Sequence, residues 1–309
     1  MARNRFRSQP GADQVTKRLL TVVSLFIALV TLVALVGSPV SSQPSGSVRV
    51  GSVHEAFQPE RGKIFVLVIG NDARAGNPNN ARADAIHLVG INTKTMRGGI
   101  LNFPRDSWVP IPGRGSAKIN ESLYGAGPEL VVKTIENLTR IRIDYYVMTG
   151  FLGFKGIIRK VGKIPMRIPF AIHDPSGSGA NLRAGKQRLT AADSLAFVRT
   201  RHNFPRGDID RTSNHGKFLI SMLAELRRDV HGNPGTLMRW ISAGRKFTRL
   251  DVPPDELFRL AVLSTQVEAT RIKNVTVPVS IGSVGAASVV FISPAARKIY
   301  ARFRRNASL

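Results

Sequence analysis

The sequence predicts an α/β domain with a mixed central β-sheet flanked by helices, an α-β-α sandwich, preceded by one transmembrane helix. Three observations lead there. Short apolar runs of strand length alternate with helical periodicity from residue 61 to the C-terminus. A single long uncharged apolar stretch lies near the N-terminus. No internal repeat and no second domain boundary is visible, and residues 61–309 suit one large α/β unit.

Residues 1–18 form a basic tail, with Arg3, Arg5, Arg7, Lys17 and Arg18 against Asp13. Leu19–Gly37 follows as LLTVVSLFIALVTLVALVG, and no charged residue occurs between Leu19 and Val48. At about 1.5 Å rise per residue this run reaches about 28 Å, close to the hydrocarbon thickness of a bilayer. Basic residues stay on the cytoplasmic side, so the tail reads as cytoplasmic and all beyond the span as extracytoplasmic. A cleaved signal peptide is the rival reading; the length of the apolar run favours a retained anchor. Residues 38–60, rich in Ser, Pro, Gly and Gln, read as an extended stalk, leaving 61–309 as the folded domain.

Within that domain KIFVLVIG (Lys63–Gly70) is a continuous apolar run ended by Gly, the pattern of a buried strand. AIHLVGIN (Ala85–Asn92) and GGILNF (Gly98–Phe103) predict two more strands around a turn at Thr93–Arg97. Pro128–Thr139 opens on Pro and spaces Leu130, Ile135 and Leu138 as a helix does. Asp144–Phe151 predicts a strand and Phe154–Gly162 a helix closed by Gly. AADSLAFVRTR and HGKFLISMLAELRRDV read as helices, KNVTVPVS and SVVFI as strands, and SPAARKIYARF as a closing helix.

Lys and Arg exceed Asp and Glu by 25, with a pI near 11.5. Such a field attracts polyanions, among them nucleic acid, anionic lipid, glycan phosphates and pyrophosphates. The predicted orientation puts the basic domain on the side without chromosomal DNA, which argues against nucleic acid. There is no Cys, so disulfides, thiolate metal sites and a Cys nucleophile are excluded. The stretch Gly179–Lys186 is one residue too long for a phosphate-binding loop and continues with Gln187. No G-x-S-x-G elbow and no H-E-x-x-H pair occurs.

Charged residues cluster where the predicted strands end. Asp72 and Arg74 follow the first strand, Arg82 and Asp84 precede the second, and Arg105 and Asp106 follow the third. In open α/β sheets ligands bind outside the strand ends, which separates these charges from those on helix faces. Taken singly, each pair also suits a structural salt bridge or a turn. A second cluster, FVRTRHNFPRGDIDR (Phe197–Arg211), holds Arg199, Arg201, Arg206 and Arg211 with Asp208 and Asp210. Arginine suits bidentate binding of phosphate oxygens, so four within thirteen positions suit a pyrophosphate; a solvated basic loop is the plainer alternative. Arg199 and Arg201 share a face only where the chain is extended, as at a helix exit.

The succession IGNDAR, ARADAIHLVGIN, NFPRDSWVPIPGRGSAKINESLYGAGPELVVKTIENLTRIRIDYYV, LTAADSLAFVRTRH and RGDIDR resembles the LytR–CpsA–Psr (LCP) family, from about Lys63 to His215. That resemblance implies a membrane-anchored phosphotransferase at the outer face of a bacterial membrane. Such enzymes move a glycopolymer with its phosphate from a polyprenyl pyrophosphate carrier to peptidoglycan. It also implies partners: the polyprenyl pyrophosphate-linked glycan, peptidoglycan and membrane lipid, with no nucleic acid. By motif, Asp72 and Asp84 resemble the acidic pair associated with Mg2+ (or Mn2+). Arg105, Arg199, Arg201 and Arg211 resemble the pyrophosphate clamp, and Lys118 of the KIN triplet a further phosphate-side cation. Asp72, Asp84 and Arg105 make up the implied catalytic set. An apolar groove beside the sheet is implied for the prenyl chain. The family usually has Ser where Asn71 and Ala73 stand, and x-x-Arg-Gln after the last clamp arginine. Here Thr212, Ser213, Asn214 and His215 follow Arg211, and His215 takes the place of the Gln. A non-catalytic tether that binds wall polymer or lipid carrier without turnover is the alternative function.

Overall fold

The computed structural model describes residues 48–52, 62–73, 81–246, 248–251 and 254–309. All of them belong to the unit Pro44–Leu309. The basic tail and the expected span Leu19–Gly37 lie outside the described residues, and among the described ones no helix is long and apolar enough to cross a membrane.

Seven strands form the central sheet. β1 (Val48–Ser52), β2 (Lys63–Asn71), β3 (Ala83–Asn92), β4 (Arg97–Phe103), β7 (Tyr145–Thr149), β12 (Thr248–Asp251) and β13 (Ile272–Thr276) take the order β12-β1-β7-β2-β3-β4-β13. β2–β3, β3–β4 and β1–β7 run antiparallel, whereas β2–β7, β4–β13 and β1–β12 run parallel, so the sheet is mixed as expected. β1 falls inside the stretch expected as a stalk. Its V-R-V alternation suits a strand, and by pairing with β7 it extends the sheet N-terminal to residue 61.

The sheet is covered on both faces. One side of its pleat sends Leu67, Ile69, Ile86, Leu88, Leu101 and Phe103 into a core shared with helices α1 (Pro128–Thr139) and α7 (Ala296–Asn306). The alternate residues Ile64 and Tyr145 pack with Leu263 of α6 (Pro254–Gln266). This period of two places His87 and Asn102 on the α6 side as well. There they lie under the long helix α4 (Asp208–Gly232), whose Gly216 approaches Asn102.

A second cluster joins α2 (Phe151–Val161), α3 (Ala191–Arg199) and α4 to two small antiparallel pairs. These are β8 (Ile164–Ile168) with β11 (Gly185–Leu189), and β9 (Ile172–Asp174) with β10 (Ala180–Leu182). Remaining hairpins are β5 (Trp108–Ile111) with β6 (Gly115–Lys118), and β14 (Val279–Val284) with β15 (Ala287–Ile292). The single strand expected over KNVTVPVS is divided between β13 and β14, because Pro278 has no N–H to give to a ladder.

Two local features place the site. Thr190 and Asp193 form a reciprocal capping box that starts α3, which ends at Arg199 and leaves through an extended Thr200 (φ −68°, ψ 136°). The RGDIDR stretch is no loop: α4 begins at Asp208, seven residues before the predicted start. Gly207 at φ 48° makes the turn, and Asp208 and Asp210 in the first turn complement the positive end of the helix dipole.

Candidate active site

Because β2 and β3 are antiparallel, as are β3 and β4, the end of β2, the start of β3 and the end of β4 share one edge of the sheet. Asp72, Asp84 and Arg105 therefore emerge on the same side, and the first turn of α4 meets that edge. Arg105 Nη1 donates to Asp84 Oδ1 at 2.6 Å, and its Nε lies 3.4 Å from Asp208 Oδ1 and 3.8 Å from Asp106 Oδ2. Arg211 Nη2 sits 2.8 Å from Asp208 Oδ1 and 3.4 Å from the Asp84 carbonyl. Lys118 Nζ reaches Asp106 Oδ1 at 2.9 Å. Residues more than a hundred positions apart thus form one ionic network.

Its electrostatics are set by burial. Removal from water disfavours the Arg105 charge, but Asp84, Asp208 and Asp106 outweigh that and raise its pKa. Burial lowers the pKa of Arg211, an effect Asp208 partly offsets, and burial raises that of Asp208 despite Arg211 and Arg105. Asp208 Oδ2 and the Nε of Arg211 are buried without a hydrogen-bond partner in the protein, and Asp208 Oδ1 and the Nε of Arg105 have ion contacts but no hydrogen bond. Unsatisfied groups gathered this closely are suited to a polar ligand.

The other predicted residues are placed unevenly. Arg201 is exposed at the exit of α3 and its charge acts on Arg211, so it borders the network. Arg199 instead stacks over the Phe151 ring at 5.2 Å, with Nη1 3.5 Å from the Ser178 carbonyl. Arg206 is held by Asp210. Asp72 is exposed, accepts from the Arg82 N–H at 3.1 Å, and lines a cleft of about 500 Å³ with Arg82, Arg114, Glu121 and Tyr124. His215 is buried, with Nε2 on the Val198 carbonyl and Nδ1 turned to His87 Nε2, so neither ring nitrogen faces a phosphate. This differs from the expected pyrophosphate contact at His215; the residue faces the sheet, not the ligand edge.

Asp106 and Asp208 are the site members that motif reasoning passed over. Asp208 had a signal: it directly follows a Gly and precedes Arg211 by three, the spacing that pairs side chains on one turn of a helix.

The resemblance implies a divalent cation. Among the described residues no three Asp, Glu or His side chains converge as a metal cage. Mg2+ usually needs only one or two carboxylates, with substrate and water oxygens completing its shell. Asp84 and Asp208 flank Arg105, and Asp208 Oδ2 is a buried oxygen without a partner. Hard oxygen donors of this kind fit such an ion.

A mixed sheet with helices on both faces and an Asp–Arg network at its strand ends defines the class. The chain belongs to the LytR–CpsA–Psr family, whose model matches residues 40–304. Cell wall biosynthesis protein LcpA of Corynebacterium glutamicum is 27% identical, over 86% of this chain and 61% of LcpA. The polyisoprenyl-teichoic acid–peptidoglycan teichoic acid transferase TagU of Bacillus subtilis is 30% identical, over 52% of this chain and 55% of TagU. The chain thus spans little more than half the length of either relative. Among solved structures, B. subtilis TagV superposes with a TM-score of 0.71 at 22% identity, covering 79% of this chain and 97% of TagV. TagT with bound octaprenyl pyrophosphate lipid gives 0.63 at 20% identity, covering 83% of this chain and 95% of TagT. These likenesses establish a common fold.

Proposed function

We propose that the protein is a phosphotransferase that moves a glycopolymer, phosphate included, from a polyprenyl pyrophosphate carrier to a peptidoglycan hydroxyl. The observation that carries this reading is the meeting of Arg105, Arg211 and Lys118 with Asp84, Asp106 and Asp208 at the strand-end edge, with Arg201 at its border. Family membership, the transferase activity named for TagU and the lipid named for TagT support it.

Phosphoryl transfer asks chiefly for positioning and charge neutralisation. Arg105 and Arg211 bind the two phosphates, with Lys118 and Arg201 beside them. The acceptor hydroxyl attacks the phosphorus that carries the glycan. A new P–O bond forms there, the bond to the bridging oxygen breaks, and prenyl monophosphate leaves with that oxygen. An aspartate of this edge that is not engaged by an ion takes the hydroxyl proton. A divalent cation held by Asp84 and Asp208, with Asp72 on the same edge, would further neutralise the phosphate oxygens. Leu19–Gly37 anchors the chain, with the tail cytoplasmic and the domain at the outer face of the cell membrane.

Titration of the full chain with octaprenyl pyrophosphate tests the site. Saturable binding that weakens in Arg105→Ala and Arg211→Ala is expected. Unaltered binding in both variants, with the fold intact, contradicts the clamp.

A further inference from the structure

Beneath α4 runs a buried chain of polar side chains that the proposed chemistry does not use. His215 Nε2 lies 2.5 Å from the Val198 carbonyl, His215 Nδ1 3.2 Å from His87 Nε2, and His87 Nδ1 2.7 Å from Asn102 Oδ1. Asn102 Nδ2 donates to Asn274 Oδ1 at 2.7 Å and to the Val275 carbonyl at 3.0 Å. Asn274 Nδ2 donates to the Ser213 carbonyl at 2.9 Å. His87, Asn102 and His215 are all buried. The chain connects the elements that bring charge to the site. β3 carries Asp84 and His87, and β4 carries Asn102 just before Arg105. α4 carries Arg211 and His215, and Val198 immediately precedes Arg199 at the exit of α3.

Its hydrogens can be counted. The outermost partners are backbone carbonyls, which only accept. The Val275 and Ser213 carbonyls orient both amides, so Asn102 turns its oxygen to His87, and His87 Nδ1 must carry a hydrogen. The Val198 carbonyl likewise requires one on His215 Nε2. Two neutral imidazoles hold only two hydrogens, and both are now placed. The central contact then sets the lone pair of His87 Nε2 against that of His215 Nδ1 at 3.2 Å. A third hydrogen turns this repulsion into an N–H···N bond.

We propose that His215 and His87 are positioning residues. They tie the end of α3, and with it Arg199 and Arg201, to the strands that carry Asp84 and Arg105, through a contact completed by one shared proton. The tie rests on the function proposed above for its catalytic meaning, though not for its existence. Burial opposes the proton, holding His87 down at about 4 and His215 well below 6.5, and the Arg211 charge adds to this on both rings. Asn102 faces the pair from β4, with Asn274 of β13 behind it. The Val198 carbonyl faces it from α3 and Arg211 from α4. The unmade central bond is the opposing pull.

Spectra of the full chain labelled with 15N-histidine test the tie directly. Near neutral pH His87 is expected as the Nδ1–H tautomer and His215 as the Nε2–H tautomer, and acid should add one proton to the pair in a single step. His87 found as the Nε2–H tautomer, or two rings titrating independently, overturns the proposal. His215→Gln supplies an amide nitrogen with two hydrogens, one for the Val198 carbonyl and one for His87 Nε2. It should keep octaprenyl pyrophosphate affinity within about twofold and lose the wild type's rise in affinity as the pH falls toward 4, whereas His215→Leu should weaken binding about tenfold. Equal affinities and equal pH profiles in all three proteins also overturn it. If the wild type fails to bind the probe, the functional reading falls, and the spectra alone decide the tie.

Discussion

Gly216→Ala inverts the usual expectation for a helix. Replacing Gly by Ala inside a helix normally stabilises by about 1 kcal/mol. A Cβ at position 216, however, would sit 1.9 Å from Asn274 Oδ1, 2.7 Å from its Cγ and 2.8 Å from Asn102 Oδ1. Asn274 must swing away, which breaks the bond from Asn102 Nδ2 and its own bond to the Ser213 carbonyl. Each break leaves a buried or part-buried polar group unpaired, at about 1–3 kcal/mol. Two such losses less the helix gain give a net loss of about 3 kcal/mol. Gly244→Ala in α5 (Thr236–Lys246) is the control, since its added Cβ meets nothing within 4 Å and should raise stability by about 0.5–1 kcal/mol. Urea unfolding of the full chain measures both. A Gly216→Ala protein as stable as wild type would refute the claim that α4 is docked on these amides.

Arg105→Ala should weaken octaprenyl pyrophosphate binding ten- to a hundredfold, the equivalent of a charge-assisted contact of about 1.5–3 kcal/mol, measured by titration calorimetry. Asp84→Asn and Asp72→Asn should each abolish Mg2+-dependent turnover; stability should change by about 1 kcal/mol or less for the exposed Asp72 and by more for Asp84, whose charge supports part-buried Arg105. Turnover that survives chelation and Asp84→Asn would leave these residues as salt-bridge partners. Acid should destabilise the fold. His87 has a folded-state pKa of about 4 against 6.5 unfolded, so between those values the unfolded chain binds more protons. Stability is then full above 6.5 and falls as pH drops toward 4, by about 3 kcal/mol for this residue; denaturant midpoints across that window check it, and a flat profile counts against it. Protease added outside intact protoplasts should remove the domain beyond about residue 38 and spare the N-terminal tail. Full protection of the domain would reverse the topology.

The central strands were legible because burial on both faces leaves near-continuous apolar runs, as in Lys63–Gly70. Elements outside the sheet were harder. β8 to β11 are only three to five residues long and form pairs with little periodicity of their own. The start of α4 was missed because Asp208, Asp210 and Arg211 read as polar loop residues; a helix N-terminus rewards the same acids. Charges next to strand ends are legible in sequence as neighbours in space, as the Asp84–Arg105 ion pair shows. Asp208 depended on tertiary packing, since its partner Arg105 lies in the turn after a distant strand. The family resemblance turns His215 toward phosphate. Its position four residues past Arg211 is compatible with the same face, but burial against His87 makes it part of the support.

The claim that this protein transfers a phosphoglycan is tested most directly by following its leaving group. The full chain would be incubated with Mg2+, a polyprenyl pyrophosphate-linked glycan labelled in the lipid, and a peptidoglycan acceptor, and prenyl monophosphate would be measured. Monophosphate should be released in step with glycan attached to the acceptor, with both suppressed at least a hundredfold in the Arg105→Ala, Arg211→Ala double variant, from about two charge-assisted contacts. Donor that binds tightly to the wild type yet yields no monophosphate, or yields it equally from the double variant, would contradict phosphoglycan transfer at this site.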